Sequence, residues 1–384
     1  MKKIVITKLN DVKVLFLFDE DHEVSLIKVI KETLVDTIFM GQICEINEGL
    51  RCCFVSVAPD QKIFLSLEEF GNDVPKCGSN ILVQIKTDAL KTKLPQGSLD
   101  ICLPGKFCVC HMKGKGISVS KKLDSETQND ILNNVQALNV DGMNDFKWVL
   151  RTNSSSCLTE GFDGMKDEME EFITVGKFLK NEAKHRSLYS KLYSPSCGVL
   201  NVLRDISFED YDSIVTDQKD VYDDIVDNGF SLNKEVKLYT DEYVSLKNLH
   251  SLETYLARAL ERKVYLDCGG YIIIEPTEAM TVIDVNSGKA EGKKKDTAQY
   301  LFKVNKEAAL EIAKQLKIRN ISGMIMVDFI NMTSDSDNDK LMTILDKELK
   351  KDRIKTTLVD MTPLGIVEIT RKKVDSSLDK AISL

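Results

Sequence analysis

The sequence predicts an α+β chain of several domains, on three grounds. At 384 residues it is longer than one ordinary domain of about 100–200 residues. Apolar residues form 43% and charged residues 29%, enough for a sizeable core and too apolar for disorder through most of the length. Short strand patterns fill the first third, whereas strands and helices alternate in the last.

At the N-terminus, Val12, Val14, Phe16 and Phe18 alternate on one strand face, and EVSLIKVI reads as a partner strand. These strands are too few to fold alone, so a later segment is expected to receive them. From 36 to 118 come five short strands, IFMGQICEI, RCCFVSVA, KIFLSL, NILVQIKTD and GSLDICL, with breaks at KCGSN and KLPQG. Five strands at this spacing predict a small closed barrel of the OB kind. SETQNDILNNVQAL reads as a helix capped by Ser125, and DFKWVLRTNSSS as a strand running into a loop. MKDEMEEFITVGKFLKNEAKHRSLYSKL is a long charged helix whose Met, Phe and Leu stripe meets a core.

GVLNVLRDI reads as a strand, followed by acidic, partly helical pieces. SLKNLHSLETYLARALERKV is one amphipathic helix carrying Leu246, Leu249, Leu252, Leu256 and Leu260. VYLDC and YIIIE form a hairpin turning at Gly269 and Gly270, and MTVIDVN is the third strand. A helix capped by Asp296 follows, lined by Ala298, Leu301, Asn305, Ala308, Ile312 and Leu316. GMIMVDFI is a buried strand. A helix with Leu341, Leu345 and Leu349, then strands TTLVDM and GIVEIT, complete the order.

Composition excludes several function classes. Net charge is −8, from 52 basic and 60 acidic residues, which argues against non-specific coating of nucleic acid by the whole surface and leaves room for a local basic groove. No apolar run approaches the roughly 18 residues that cross a bilayer, and MKKIVITKLNDVKV turns polar too early for a signal peptide. A cytoplasmic protein without membrane attachment is expected. The ten cysteines form no CxxC pair and read as reduced, mostly buried side chains. Four scattered histidines, His22, His111, His185 and His250, argue against a His pair or a His-rich metal site.

Oxygen chemistry remains. Asp284 and Asn286 lie two apart in TVIDVNS and so share a strand face. Asp328 ends the apolar run MIMV, with Asn331 close behind. Two carboxylates converging from separate strand ends can hold a hard divalent cation such as Mg²⁺, which takes oxygen ligands and often only one or two carboxylates. Such a pair suits metal-assisted hydrolysis of a phosphoester. The plain alternative is two aspartates capping a helix or a turn. Lys289, Lys293, Lys294 and Lys295 crowd a glycine-containing loop before a helix and could line a phosphate, or could be a solvated run. Asn305 interrupts an apolar stripe; it either anchors the Asp284 loop or, as is commoner for such a residue, makes a plain structural hydrogen bond. Arg151 and Thr152 end a strand as a guanidinium beside a hydroxyl, a pair able to grip a terminal phosphate. Trp148 nearby reads as core. Phe54, Phe64 and Lys93 could stack bases and steer a backbone, although phenylalanines in strands are commonly core.

Taken together, these pieces resemble the ribonuclease E/G family. GGYIIIEPTEAMTVIDVNSGKA, NKEAALEIAKQLKIRNISGMIMVDFINM and LGIVEITRKK carry the resemblance most strongly, and MGQICEINEGLRCCFVSVAPDQKIFLSL is similar to the family's S-one type OB domain. The resemblance implies a Mg²⁺-dependent, single-strand-specific endoribonuclease that leaves 5′-phosphate and 3′-hydroxyl ends, in rRNA or tRNA processing or mRNA decay. It implies one divalent ion on Asp284 and Asp328, with Asn286 supporting them. It implies RNA contacts at Phe54, Phe64 and Lys93, and a 5′-monophosphate sensor at Arg151, Thr152, Gly105 and Val109, with Lys355 replacing an arginine. The architecture implied is a ribonuclease H-like piece from 1–35 with 197–260, an OB barrel at 36–118, a sensor at 119–196 and a deoxyribonuclease-like catalytic piece at 261–384. The family's zinc-sharing Cys-Pro-x-Cys segment does not occur in the sequence, so no structural zinc is expected and a homodimer would form without a zinc link. The alternatives are a non-catalytic RNA-binding homologue and a small-molecule phosphatase.

Overall fold

The alternation at the N-terminus builds the strand Val12–Phe18, which buries Val14, Phe16 and Phe18. It lies antiparallel between Lys3–Leu9 and Val24–Ile30. The later segment that receives these strands is Ser213–Thr216, parallel to Lys3–Leu9, with Glu235–Leu238 beyond it. The computed structural model describes residues 1–71, 73–89, 93–195, 198–227, 234–288, 297–332, 334–362 and 364–382. Contacts divide the chain into two units, 1–30 with 211–384, and 31–210.

In the first unit, helices pack Leu246, Leu252 and Leu256 on the N-terminal sheet. The single helix expected there is two, Leu246–Leu249 and Leu252–Leu260. Ser251 between them takes a left-handed φ of 51°, which interrupts the hydrogen-bond ladder, and Leu249 and Leu260 stay exposed.

The second sheet of this unit has the order Lys263–Tyr265, Tyr271–Pro276, Met280–Asn286, Gly323–Asp328, Ile366–Arg371, Thr356–Met361. Ile272, Ile274, Ile283, Val285, Ile325, Val327, Val367 and Ile369 alternate onto one face. The helices Thr297–Ile318 and Asp335–Leu349 cover that face, with Ala308, Ile312, Leu316, Leu341, Leu345 and Leu349 buried as their spacing predicts. The other face is open, with Val282 and Met324 exposed on it. The hairpin turn is longer than Gly269 and Gly270 alone, because Tyr265 pairs with Tyr271 and five residues connect them.

In the second unit, the strands Ile38–Asn47, Cys52–Ala58, Gln61–Ser66, Gln96–Ser98 and Asn80–Thr87 close into a barrel, because Ile38–Asn47 pairs with Asn80–Thr87 as well as with Cys52–Ala58. Its core holds Ile43, Cys53, Val55, Ile63, Leu65, Val83 and Ile85. GSLDICL is not one strand. Glu69 accepts from the Ser98 hydroxyl at 2.7 Å and the Leu99 amide at 2.9 Å, and the chain leaves the barrel there. Cys102–Pro104 joins a separate sheet with Cys108–His111, Lys147–Leu150 and Gly116–Val119. The helix Asp163–Asn181 buries Met165, Met169, Phe172, Ile173 and Leu179, so its stripe is core. The shorter helix Ser125–Ala137 is capped by Asp124, not Ser125; the Asp124 carboxylate accepts from Thr127 N at 2.9 Å. GVLNVLRDI is a helix, Gly198–Arg204, rather than a strand. Val199, Leu200 and Leu203 bury one side at helical spacing, a pattern that a short apolar run shares with a strand. Among the described residues the cysteines are free, and no helix is long and apolar enough to cross a membrane.

One buried ion pair closes the second sheet of the first unit. Arg371 Nε donates to Asp352 Oδ2 at 2.7 Å, and its Nη1 donates to Asn320 Oδ1 at 2.8 Å and the Ile321 carbonyl at 3.0 Å. Both side chains are under a tenth exposed. Removing one partner strands the other charge away from water. Arg371→Ala should therefore cost about 3–5 kcal/mol, read as a lowered urea midpoint for this unit.

Candidate active site

Two neighbouring parallel strands bring the two aspartates together. Met280–Asn286 and Gly323–Asp328 run parallel, and Asp284 is the direct register partner of Asp328. In a parallel pair, side chains in register point to the same face, at a strand spacing of about 4.8 Å. Their neighbours Ile283, Val285 and Val327 face the helices, so both carboxylates stand on the open face. Asp284 is half-buried and Asp328 exposed. Asn286, two residues along the same face, donates from Nδ2 to Asp284 Oδ2 at 2.7 Å. Among the described residues no basic side chain pairs with either aspartate. Among the described residues the arrangement is a pair of oxygen donors at a strand end without a basic partner, on the exposed face of the sheet.

That donor set fits Mg²⁺. No group of three or more His, Cys, Asp or Glu side chains among the described residues could enclose a metal. An ion that keeps most of its water and takes two carboxylates needs no more than this pair.

Buried groups hold the two strand ends. Asn305 is fully buried in the long helix; its Nδ2 donates to the Ile330 carbonyl at 2.7 Å and its Oδ1 accepts from the Ile330 amide at 3.1 Å. It therefore clamps the chain just past Asp328; its bonds run to Ile330 rather than to the Asp284 loop, so of its two expected roles the structural hydrogen bond is the one observed. On the Asp284 side, Tyr300 donates its hydroxyl to the Ser287 carbonyl at 2.8 Å. Gly288 has a φ of 68°, and a Cβ there would lie 2.4 Å from the Gly269 carbonyl oxygen, so only glycine lets the hairpin and this loop meet. Glu307 accepts from Cys268 N at 2.8 Å and braces that hairpin from the same helix. Tyr300 and Glu307 escaped the sequence reading. Their signal is two polar-tipped positions seven residues, about two turns, apart on the helix that follows the Asp284 strand. Lys289, Lys293, Lys294, Lys295 and the expected cap Asp296 lie outside the described residues.

In the barrel, Phe54 and Phe64 are register partners, edge to face with centroids 6.4 Å apart. Cys53, Val55, Ile63 and Leu65 fill the core, so the two phenylalanines stand half-buried on the outer surface. Lys93 is exposed two residues before Pro95, whose carbonyl accepts from Phe64 N at 2.8 Å.

The expected end-sensing residues are partly gathered. Arg151 Nη1 donates to the Gly105 carbonyl and Nη2 to Asp205 Oδ1, each at 2.7 Å. Thr152 shares a hydrogen bond with the Ser120 hydroxyl at 3.1 Å. Val109 pairs across to Pro104 and Val149. The backbone amides of Lys106, Phe107 and Cys108 point at one carboxylate, Glu168, at 2.6, 3.0 and 2.9 Å. A Cβ on Gly105 would lie 2.3 Å from that carboxyl group, so glycine is what admits it. Burial pushes Glu168 above the usual carboxylate range, against the opposing pull of those amides. Burial also draws Lys106 down to about 7, opposed by Glu168 and Glu160, and its ammonium lies 4.3 Å from the Phe208 ring centroid. Lys355 is exposed in the first unit. Trp148 is core, its indole donating to the Met143 carbonyl at 2.8 Å.

Comparison with known proteins supplies an independent finding. The family model described as the Ribonuclease E/G family matches residues 102–374. Ribonuclease G of Salmonella typhimurium is 28% identical over 383 residues, covering 94% of this chain and 77% of the relative. Ribonuclease G of Haemophilus influenzae is also 28% identical, with the same shares covered. Ribonuclease E of Synechocystis sp. is 28% identical over 98% of this chain and 57% of its own length.

The lowered Lys106 gives a pH signature. Between about pH 7 and the ordinary lysine range, the unfolded chain holds a proton that the folded chain has released. Stability contributed by this group therefore rises with pH across that window. Relative to Lys106→Met, the wild-type chain should gain stability between about pH 7 and about pH 9, read as the change in the difference between their urea midpoints.

Proposed function

The chain belongs to the ribonuclease E/G family, and from that premise we propose that it is an endoribonuclease hydrolysing single-stranded RNA at Asp284 and Asp328. The observation that carries the reading is the register pairing of these two aspartates at the ends of parallel strands on an open face. Asp284 and Asp328 would hold one Mg²⁺. Asn286 keeps one oxygen of Asp284 engaged and so limits how the carboxylate turns. When bound, Mg²⁺ orients a water and neutralises charge gathering on the phosphate oxygens. Asn305 and Tyr300 maintain the spacing of the two strand ends while substrate charge arrives. Cleavage of the bond to the 3′ oxygen leaves a 3′-hydroxyl on one product and a 5′-phosphate on the other.

The outward Phe54 and Phe64 pair, with Lys93 nearby, is proposed as the barrel's RNA contact: rings for bases, ammonium for backbone. Arg151 is proposed to bind a 5′-monophosphate. Its guanidinium already bonds an exposed carboxylate, Asp205, so a terminal phosphate would exchange with that carboxylate on the same donors. Lys289, Lys293, Lys294 and Lys295 remain proposed as phosphate contacts. The names for the parts remain proposals too: a ribonuclease H-like piece, an OB barrel, a sensor and a deoxyribonuclease-like catalytic piece. So do a role in rRNA or tRNA processing or mRNA decay, a cytoplasmic setting and a homodimer.

Asp284→Asn and Asp328→Asn should each abolish Mg²⁺-dependent cleavage of a 5′-labelled single-stranded RNA, with circular dichroism unchanged. Normal turnover by both would remove the assignment. No cleavage by the wild-type chain at any Mg²⁺ concentration, with RNA still bound, would favour the non-catalytic homologue. Arg151→Ala should erase a preference for 5′-monophosphorylated over 5′-hydroxyl RNA, measured as the ratio of initial rates.

A further inference from the structure

The open face that carries the aspartates also carries an aromatic pair. Register aligns Tyr265, Tyr271 and Asn286 in one row across three adjacent strands. The next row is Lys263, Ile273, Asp284 and Asp328. Val264 and Ile272, between the rows, pack against the helices, so the tyrosines point with Asp284 and away from the core. Tyr265 is 71% exposed on the edge strand, an unusual exposure for so large a ring. The two rings lie 6.3 Å apart at 60°. Lys263 Nζ sits 3.7 Å from the Tyr271 centroid and 4.7 Å from that of Tyr265. At about 4.8 Å per strand, Tyr271 is one spacing from Asn286 and Tyr265 two.

Neither ring is among the residues of the sheet's buried core. They are flat apolar surfaces with a cation between, beside a pair of carboxylates that handles a phosphodiester. We propose that Tyr265 and Tyr271, with Lys263, form a stacking subsite for a base of single-stranded RNA next to the cleaved phosphate. The rings take the base and the ammonium takes the backbone. This rests on the endoribonuclease reading above. Stacking is indifferent to base identity, since every base has a π face, so the subsite strengthens binding and positions the strand without choosing a sequence.

The test compares steady-state cleavage by the full chain of one single-stranded RNA with copies carrying an abasic residue at each position flanking the cut. The variant Tyr265→Ala/Tyr271→Ala should raise KM about tenfold, with kcat changed less than about twofold. Tyr265→Phe/Tyr271→Phe should keep wild-type KM, because the ring does the work. One abasic position should raise the wild-type KM by a similar factor and should not raise that of the double alanine variant further. Lys263→Gln should flatten the salt dependence of KM, since one phosphate contact is lost. An unchanged KM in the double alanine variant, or undiminished sensitivity of that variant to every abasic position, overturns the subsite. A raised KM in the phenylalanine variant overturns stacking in favour of the hydroxyls. Failure of the wild-type chain to cleave any RNA sinks the endoribonuclease reading first, a result distinct from all of these.

Discussion

The parallel register between Met280–Asn286 and Gly323–Asp328 is the constraint on which the candidate site depends. Slipping that register by one residue would turn one carboxylate into the helix-covered face. The slip is opposed by the apolar partners on that face, Ile283, Val285, Ile325 and Val327, which are all buried under the two helices. Carboxylate geometry is therefore set by hydrophobic packing on the opposite side of the sheet. Two carboxylates about one strand spacing apart would push the ends away from each other without it.

Buried polar groups finish what packing begins. Asn305 satisfies both backbone groups of Ile330, and Tyr300 reaches the carbonyl of Ser287, so each strand end has a partner from the one helix that crosses both. A buried amide left without partners would be costly, and here its two bonds hold a turn that has no ladder to hold it. Arg371 plays the comparable part at the far end of the neighbouring strand, joining Asp352 to the loop that precedes Gly323–Asp328. In the other unit, Glu168 satisfies three successive amides of loop 105–108, and Arg151 is engaged by Gly105 and Asp205. A terminal phosphate would meet donors that already have acceptors, so its binding would be an exchange.

Two periodic segments agree with the structure, whereas the leucine stripe from Leu246 to Leu260 breaks at Ser251. MTVIDVN is a strand over its whole length, and Leu341, Leu345 and Leu349 are buried together. Short apolar runs were harder. GVLNVLRDI fits both periods over its few apolar residues, and the surroundings make it a helix. GSLDICL looks continuous, yet Glu69 draws its first half to the barrel while its second half pairs elsewhere. The phenylalanines of the barrel could have been core or surface. Alternation puts Phe54 and Phe64 outside because Cys53, Val55, Ile63 and Leu65 already fill the inside.

Residue order alone determined the chemistry on offer: two aspartates and an amide at strand ends, few histidines, and an Arg-Thr pair after a strand. Local periodicity is enough for this, because a strand end and its facing residues are set within a few positions. Folding decided which of those groups meet. Asp284 and Asp328 are 44 residues apart along the chain and become direct neighbours only through the pairing of two strands. Arg151 finds Asp205, and Tyr265 joins Tyr271 and Asn286 in one row, by the same means. Long-range pairing depends on which faces can be buried together, and that is a property of the assembled core rather than of any one segment.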